Sequence, residues 1–401
     1  MPWRKSSRTK IDSFMDHKRI LFIYHHHISF YGAYKSSVSL FSNLDDYVVD
    51  IVVPKRLMRT HEVMKRKKFF DLQNEDILKK DFKGKIRKII HISMFRDWWC
   101  NTVSNHITKR KSVYDSITKF LSLVDLAWLK FYVFCNDYDI IHLSSTVLHI
   151  YAKLGPNVPV TMHVREEIVR SPSRKFVNSF NLLRGAVFID YSTLGFSPPS
   201  TGVKKSVILN PFDMRDVETA KPPSLPYDVK TCITVSFIGR LDAIKGYDFI
   251  INSVIKSSNK NLRLLLVGLA SADAMTFIKR RSWEDGRIIY FGETKEISKV
   301  YNASDYVIRG EEHLALGRTV YESVFSGTPI IVPDKGEDFS KHFLKFGEFK
   351  DIVLRYEARD EESLSSLLDG LEKPKSRQSH PRGNISEHVS NIRKFWDSLQ
   401  T

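Results

Sequence analysis

Phe237-Ile238-Gly239-Arg240-Leu241-Asp242-Ala243-Ile244-Lys245-Gly246 is the stretch whose reading decides the fold. Val235 to Ile238 is a short apolar run rich in β-branched and aromatic residues, which predicts a buried strand, and Tyr247 to Ile255 resumes with helical spacing. Between them Gly239 lets backbone approach a ligand closely. Arg240 and Lys245 offer a planar fork and a point charge to phosphate oxygens. Taken alone, the turn reads equally as a surface loop with two solvated cations.

A second segment downstream shifts that balance. Glu311-Glu312-His313-Leu314-Ala315-Leu316 leads into Gly317-Arg318-Thr319-Val320-Tyr321-Glu322, and Gly327-Thr328-Pro329 precedes the apolar run Ile330 to Val332. The pattern predicts a loop, a helix from about Arg318 stopped by Gly327 and Pro329, and a buried strand. Such a helix aims its free N-terminal amides and positive dipole end at whatever lies before Gly317, which makes an anion site. Glu322 falls a little over one turn inside, where a carboxylate could accept hydrogen bonds from vicinal ribose hydroxyls. Considered singly, it reads as an exposed helix glutamate.

In order along the chain stand the G-R-x-x-x-x-K-G turn at Gly239 to Gly246, the strand Leu264 to Gly268, a strand ending Phe291-Gly292, and the Gly317 to Pro329 helix. This ordered set, over about 235 to 335, resembles the retaining GT-B glycosyltransferases of the GT4-like class (glycosyl transferases group 1), in particular bacterial cell-surface polysaccharide enzymes. The resemblance implies two doubly wound parallel-sheet α/β domains, Rossmann-like, facing a cleft, with a C-terminal helix crossing back to the first. It implies that Gly239, Arg240 and Lys245 bind a donor diphosphate. Gly317 and the amides around Arg318, Thr319 and Val320 would take the distal phosphate, and Glu322 the ribose. One position departs from the family: Leu314 stands where a second glutamate usually lies near the donor sugar. Glu311 and Glu312 are possible substitutes, and they read equally well as loop charges.

Composition fits a folded two-domain chain: 401 residues, 42% hydrophobic and 12% aromatic. It excludes a disordered protein. Cys100, Cys135 and Cys232 are widely spaced, so neither a disulfide framework nor a zinc ribbon is indicated, and a reducing, cytoplasmic compartment is the default. The apolar run after the cationic N-terminus is too short for a signal peptide core. The longest apolar stretch, Phe120 to Cys135, is interrupted by Asp125 and Lys130 and falls short of a membrane span. No repeat at solenoid periods occurs.

Charge is the strongest compositional signal, with 62 Lys and Arg against 46 Asp and Glu, formally +16. The excess gathers in 55–111. Lys55 to Lys68 holds 7 cations and 1 acid, with further clusters at Lys79-Lys80, Lys83 to Lys88 and Lys109-Arg110-Lys111. Phe69-Phe70, Phe95, Trp98 and Trp99 interleave with these tracts, a mixture suited to an anionic membrane surface. A solvated basic face is the plainer alternative. Nucleic acid is disfavoured, since no binding motif accompanies the charge.

In the N-terminal half, Ile20 to Tyr24, Tyr47 to Val53, Ile140 to Leu143 and Val158 to His163 are expected parallel strands. The loop His25 to Ala33, with Gly32, leads to a helix from about Tyr34. Gly32 is a candidate donor-binding position. His25-His26-His27 lack a carboxylate to complete a metal set. His163 opens His163-Val164-Arg165-Glu166 at a strand's carboxyl end, where doubly wound sheets place ligands. In the resembled family a histidine here faces the donor sugar, so His163 is a candidate catalytic residue; a satisfied structural histidine is the alternative. Asn210 to Asp213 resembles the family's junction between domains, and Pro222, Pro223 and Pro226 stiffen a linker. The expected division is an acceptor-side domain over 1–212, the linker 213–226, a nucleotide-sugar domain over 227–375, and a tail over 376–401. In that tail Ile385, Val389, Ile392, Phe395 and Leu399 recur with helical spacing.

The expectation is a glycosyltransferase that moves a sugar from a nucleotide-diphosphate donor, with retention, to a saccharide or polyprenyl-diphosphate-linked acceptor. It would act in O-antigen or capsule assembly, from the inner face of the cytoplasmic membrane. His163, Arg240, Lys245 and Glu322 would carry the chemistry. No metal or other cofactor is expected, because cations and helix amides neutralise the diphosphate. Two alternatives stay open: a decayed nucleotide-sugar-binding scaffold, and a polyanion-binding protein with a vestigial cleft.

Overall fold

The computed structural model describes residues 17–24, 32–54, 75–92, 113–155, 157–166, 168, 172–310, 317–334, 352–374 and 384–400. Its contacts divide the chain into two compact units, Met1–Pro211 with Ile385–Thr401, and Phe212–Asn384.

The first unit is built on seven strands: β1 Lys18–Ile23, β2 Tyr47–Pro54, β3 Ile86–Ile92, β4 Ile140–Leu143, β5 Val160–Val164, β6 Gly185–Phe188 and β7 Lys204–Val207. They pair in parallel in the order β3-β2-β1-β4-β5-β6-β7, so the chain reverses its direction of travel between β1 and β4. A parallel sheet must be covered on both faces, and successive side chains supply both covers. Leu21 and Ile23 join one core with Leu126, Leu129 and Val133 of the helix Val113–Phe134. Ile20 and Phe22 join the other, with Phe41 of the helix Gly32–Phe41.

The terminal helix Ile385–Asp397 completes this second core with Val389, Ile392, Phe395 and Trp396. Trp396 is fully buried, its ring 5.5 Å from those of both Tyr47 and His142. Gly185 at the start of β6 makes the room: a Cβ there would lie 2.6 Å from the Phe395 ring and 2.9 Å from Leu399. The tail spacing read from sequence thus belongs to a helix that returns to the first unit.

The second unit has six parallel strands, β8 Ile233–Ile238, β9 Leu262–Val267, β10 Ile288–Gly292, β11 Tyr306–Ile308, β12 Ile330–Asp334 and β13 Val353–Glu357, in the order β10-β9-β8-β11-β12-β13. This is the strand order of a dinucleotide-binding sheet, with its reversal between β8 and β11. Val235, Phe237, Leu264, Leu266, Ile308 and Ile331 fill one face, whereas Leu265 and Val267 meet Val300 on the other. Residues 213–226 lie within this unit, where the Asn302 side chain donates to the Val217 carbonyl at 2.8 Å. At its border Phe212 N donates to the Asn384 side chain at 2.8 Å, and Asn384 N to the Phe212 carbonyl at 3.0 Å. The points where the chain enters and leaves the unit are therefore fastened together.

Candidate functional site

Ligands of doubly wound sheets sit beyond the carboxyl ends of the strands at the reversal, which in the second unit means the ends of β8 and β11. Gly239, with φ +152°, follows β8 directly, and Gly268, with φ +143°, follows β9. A Cβ at Gly268 would lie 1.8 Å from the Gly239 carbonyl oxygen, so only glycine permits this turn. Gly246, with φ +68°, closes the turn against Gly310 after β11. A Cβ at Gly246 would meet the Gly310 oxygen at 2.5 Å, and one at Gly310 the Gly246 oxygen at 2.6 Å. Backbone thus presses on backbone at the reversal.

Asp242 organises the turn between these glycines. Its carboxylate accepts from Lys245 N at 3.1 Å and from Arg240 Nε at 2.6 Å. The Arg240 side chain is 62% exposed. An exposed pair of this kind is worth little and is screened by water, so the guanidinium can be exchanged onto a phosphate at small cost. Lys245 is half-buried.

The helix Gly317–Phe325 is fixed to the same place by one bond: Thr319 Oγ1 donates to the Ile238 carbonyl at 3.3 Å, at the last residue of β8. The two motifs, far apart in sequence, are thereby brought together. Gly317, with φ +72°, packs toward the Arg309 guanidinium. Val320 is fully buried, whereas Gly317, Arg318 and Thr319 before it are half-buried. At the far end Thr328 N donates to Ser323 O at 3.0 Å, and Ser323 Oγ to Thr328 O at 2.7 Å, which ends the helix at the expected Gly-Thr-Pro.

Glu322 is 6% exposed, which excludes the plain reading of a solvated helix glutamate. One carboxylate oxygen accepts from Arg318 Nε at 2.5 Å and the other from Tyr301 Oη at 3.1 Å. Burial, followed by the neighbouring Glu322 charge, raises the Tyr301 phenol far above its ordinary value, so it stays a donor. Arg318 stacks over the Phe212 ring at 4.8 Å. A carboxylate has about four acceptor positions, so Glu322 keeps capacity for a further donor while its geometry is set by two partners. Sequence reasoning did not find Tyr301 and Phe212, whose contribution depends on packing between distant segments.

In the first unit, His163 lies on β5 and is 1% exposed. Its Nδ1 is 3.3 Å from His142 Nε2, while His142 Nδ1 is 2.8 Å from Thr161 Oγ1. The opposite face of His163 stacks on His388 of the terminal helix, at 6.1 Å and 19°. His388 Nδ1 approaches the Leu209 carbonyl, an obligate acceptor, at 2.5 Å, so the neutral ring carries its proton there. Burial and the nearby Arg165 cation lower all three: His142 to about 3, His388 to about 4, and His163 well below its ordinary value. His163 is therefore a neutral group inside a buried row of imidazoles, and its Nε2 has no hydrogen-bond partner among the described residues. Arg165 donates to the Ser144 carbonyl and to Asn210, and Glu166 accepts from Ser145 and Thr146.

Gly32 opens the helix Gly32–Phe41. Glu311, Glu312 and Leu314 lie outside the described residues, as do His25 to His27 and most of 55–111. Among the described residues no group of three His, Cys, Asp or Glu side chains is placed to hold a metal, and no helix is long and apolar enough to cross a membrane.

Residues 232–364 match the family model described as Glycosyl transferases group 1. No curated protein matches the chain in sequence. Solved structures share its fold: HepE from Anabaena in complex with UDP, at 14% identity and TM-score 0.66, covers 95% of this chain and 100% of that one. A glycosyltransferase from Rickettsia africae, at 14% and 0.64, covers 96% and 99%. A sucrose-phosphate synthase from Thermosynechococcus elongatus, at 13% and 0.61, covers 96% of each. The protein has the GT-B fold of glycosyltransferases, and its second unit carries the part matched by the family model.

Proposed function

We propose that the protein is a glycosyltransferase that moves a sugar from a nucleotide-diphosphate donor to a saccharide acceptor with retention of configuration. The observation that carries this reading is the Thr319–Ile238 bond, which sets the amides of a helix N-terminus beside the Gly239 to Gly246 turn. Amides, Arg240 and Lys245 then surround a diphosphate, and Glu322, held by Arg318 and Tyr301, faces the ribose. HepE was crystallised with UDP and glucose together, so uridine diphosphate sugars are the first donors to test.

In the proposed reaction the acceptor hydroxyl attacks the anomeric carbon from the face the diphosphate is leaving. The C–O bond to the diphosphate breaks as the new glycosidic bond forms, and the acceptor proton passes to a leaving phosphate oxygen. Arg240 and Lys245 stabilise negative charge that grows on the leaving group, which is where preorganised cations lower a barrier. A saccharide carried on a polyprenyl diphosphate, used in surface polysaccharide assembly, is the acceptor that suits the basic tract 55–111 and an anionic membrane.

Thermal-shift titration with UDP, GDP and TDP, followed by transfer assays with the sugar form of whichever stabilises, tests the reading. Stabilisation by one diphosphate and glycoside formation support it. Stabilisation without transfer or hydrolysis points to a decayed binding protein, and no stabilisation by any diphosphate removes the assignment.

A further inference from the structure

The helix Val113–Phe134 is held to the first unit by Leu126, Leu129 and Val133. Its outward face carries Leu123, Val124, Trp128, Phe131 and Phe134, all exposed, Phe131 by 67% and Phe134 by 82%. On a helical projection these five lie together, opposite the buried three. Lys130 is the charged residue exposed among them between 123 and 134. Trp128 stacks on Tyr132 at 5.3 Å, and Lys88 of β3 lies 4.8 Å over the other ring of that pair. In sequence, Lys109-Arg110-Lys111 precede the helix by one residue, Ser112.

We propose that this apolar face inserts into the interfacial layer of an anionic bilayer, lying in the membrane plane while the neighbouring cations contact lipid phosphates. The inference rests on the membrane reading above and supplies the device that reading lacks. Keeping bulky apolar groups in water costs roughly 25 cal/mol per Å², and a contiguous exposed apolar face calls for a cover. Three observations choose lipid as that cover. The face is aromatic-rich with an indole and a phenol at its border, groups that favour the headgroup boundary. The exposed cations Lys88 and Lys130 border it, with Asp125 half-buried on the same helix, and those cations complement an anionic surface. The opposite face is committed to the core, so the helix cannot turn to cross the membrane and must lie flat. At 1.5 Å per residue the exposed run spans about 18 Å of bilayer surface.

The full chain is tested by co-sedimentation with vesicles of phosphatidylcholine plus phosphatidylglycerol, and of phosphatidylcholine alone, using F131S/F134S as the variant. The expected result is binding to the anionic vesicles that falls by roughly tenfold or more in the variant, with thermal midpoint and nucleotide binding unchanged. Quenching of tryptophan emission by brominated lipid should also fall in Trp128→Phe. Equal vesicle affinity of variant and wild type overturns the inference and leaves the membrane reading standing. No vesicle binding by the wild type overturns both. A variant that keeps its vesicle affinity but loses a dimer in sedimentation assigns the face to a second copy of the chain and overturns the lipid assignment.

Discussion

The two sheets follow the same strand order through their first six positions, yet the strand ends beside the reversal are furnished in opposite ways. After β8 the second unit offers glycine backbone, an exposed guanidinium paired with Asp242, and the start of a helix. On β4 and β5 the first unit has neutral imidazoles packed together, and just after β5 Arg165 and Glu166 are bonded to neighbouring backbone and side chains. Groups whose partners are exposed and weakly held can move to a ligand, whereas groups satisfied in the interior fix a shape. One topology therefore carries loosely held groups at the reversal of the second unit and buried, mostly bonded ones at that of the first.

Acid should separate the two units most strongly. The folded-state values of His142, His149 and His388 are lowered to about 3, 4 and 4, chiefly by burial, against 6.5 ordinarily. The unfolded chain then binds more protons than the folded one between about pH 6.5 and 4. Stability is full above that window and falls as pH drops through it, by on the order of 5 kcal/mol or more over the three. Among its described residues the second unit has no histidine. Its carboxylates Asp213 and Asp369, lowered by Arg215 and by the Ser257 hydroxyl, lose their contribution only as pH falls below 3.8. Circular dichroism with domain-specific proteolysis should show the first unit opening at higher pH; simultaneous loss near pH 3 would erase the contrast.

Trp396→Ala should cost the first unit about 4 kcal/mol, because it empties a site filled between Tyr47 and His142, and leave nucleotide binding by the second intact. Urea titration and nucleotide titration of one sample check both halves. Lys245→Ala inverts the pattern: unfolding should be unchanged while kcat/KM falls roughly a hundredfold to a thousandfold, as expected for removing a donor to a developing oxyanion. Arg240→Ala should behave alike. Near-normal turnover in both variants would remove these residues from the diphosphate site. The smallest effect is expected of Tyr301→Phe, which frees Glu322 from one partner at about 1 kcal/mol and should weaken nucleoside diphosphate binding more than it weakens inorganic pyrophosphate binding.

The sequence displayed the second unit well because its strands and turns are local signals. Val235 to Phe237 is buried and Ile238 half-buried, and Gly239 and Gly246 occupy backbone conformations that other residues resist. The strands β3, β6, β7, β11 and β13 escaped notice; β11 has 3 residues, and β3 reads IRKIIHI within a basic tract. Glu322 was placed on its helix, but its burial depends on Arg318 and on Tyr301 from another helix, and no spacing rule encodes that. His163 was legible as a histidine at a strand end. Its companions His142 and His388 come from a strand and the terminal helix, so their row exists only after folding. The stretch 120–135 was read for membrane crossing by its length, whereas its consequence lies in which side of the helix the apolar residues occupy.

The return of Ile385–Asp397 to the first unit has a consequence for biosynthesis. Ribosomes deliver the amino end first, and domains generally begin to fold as they emerge. Here the second core still lacks Trp396, Phe395 and Ile392 after 1–211 and all of 212–384 have appeared. The second unit is continuous in sequence and waits for no later segment. The second core can close only once 385–399 have emerged, so until then a nascent chain carries an uncovered apolar face.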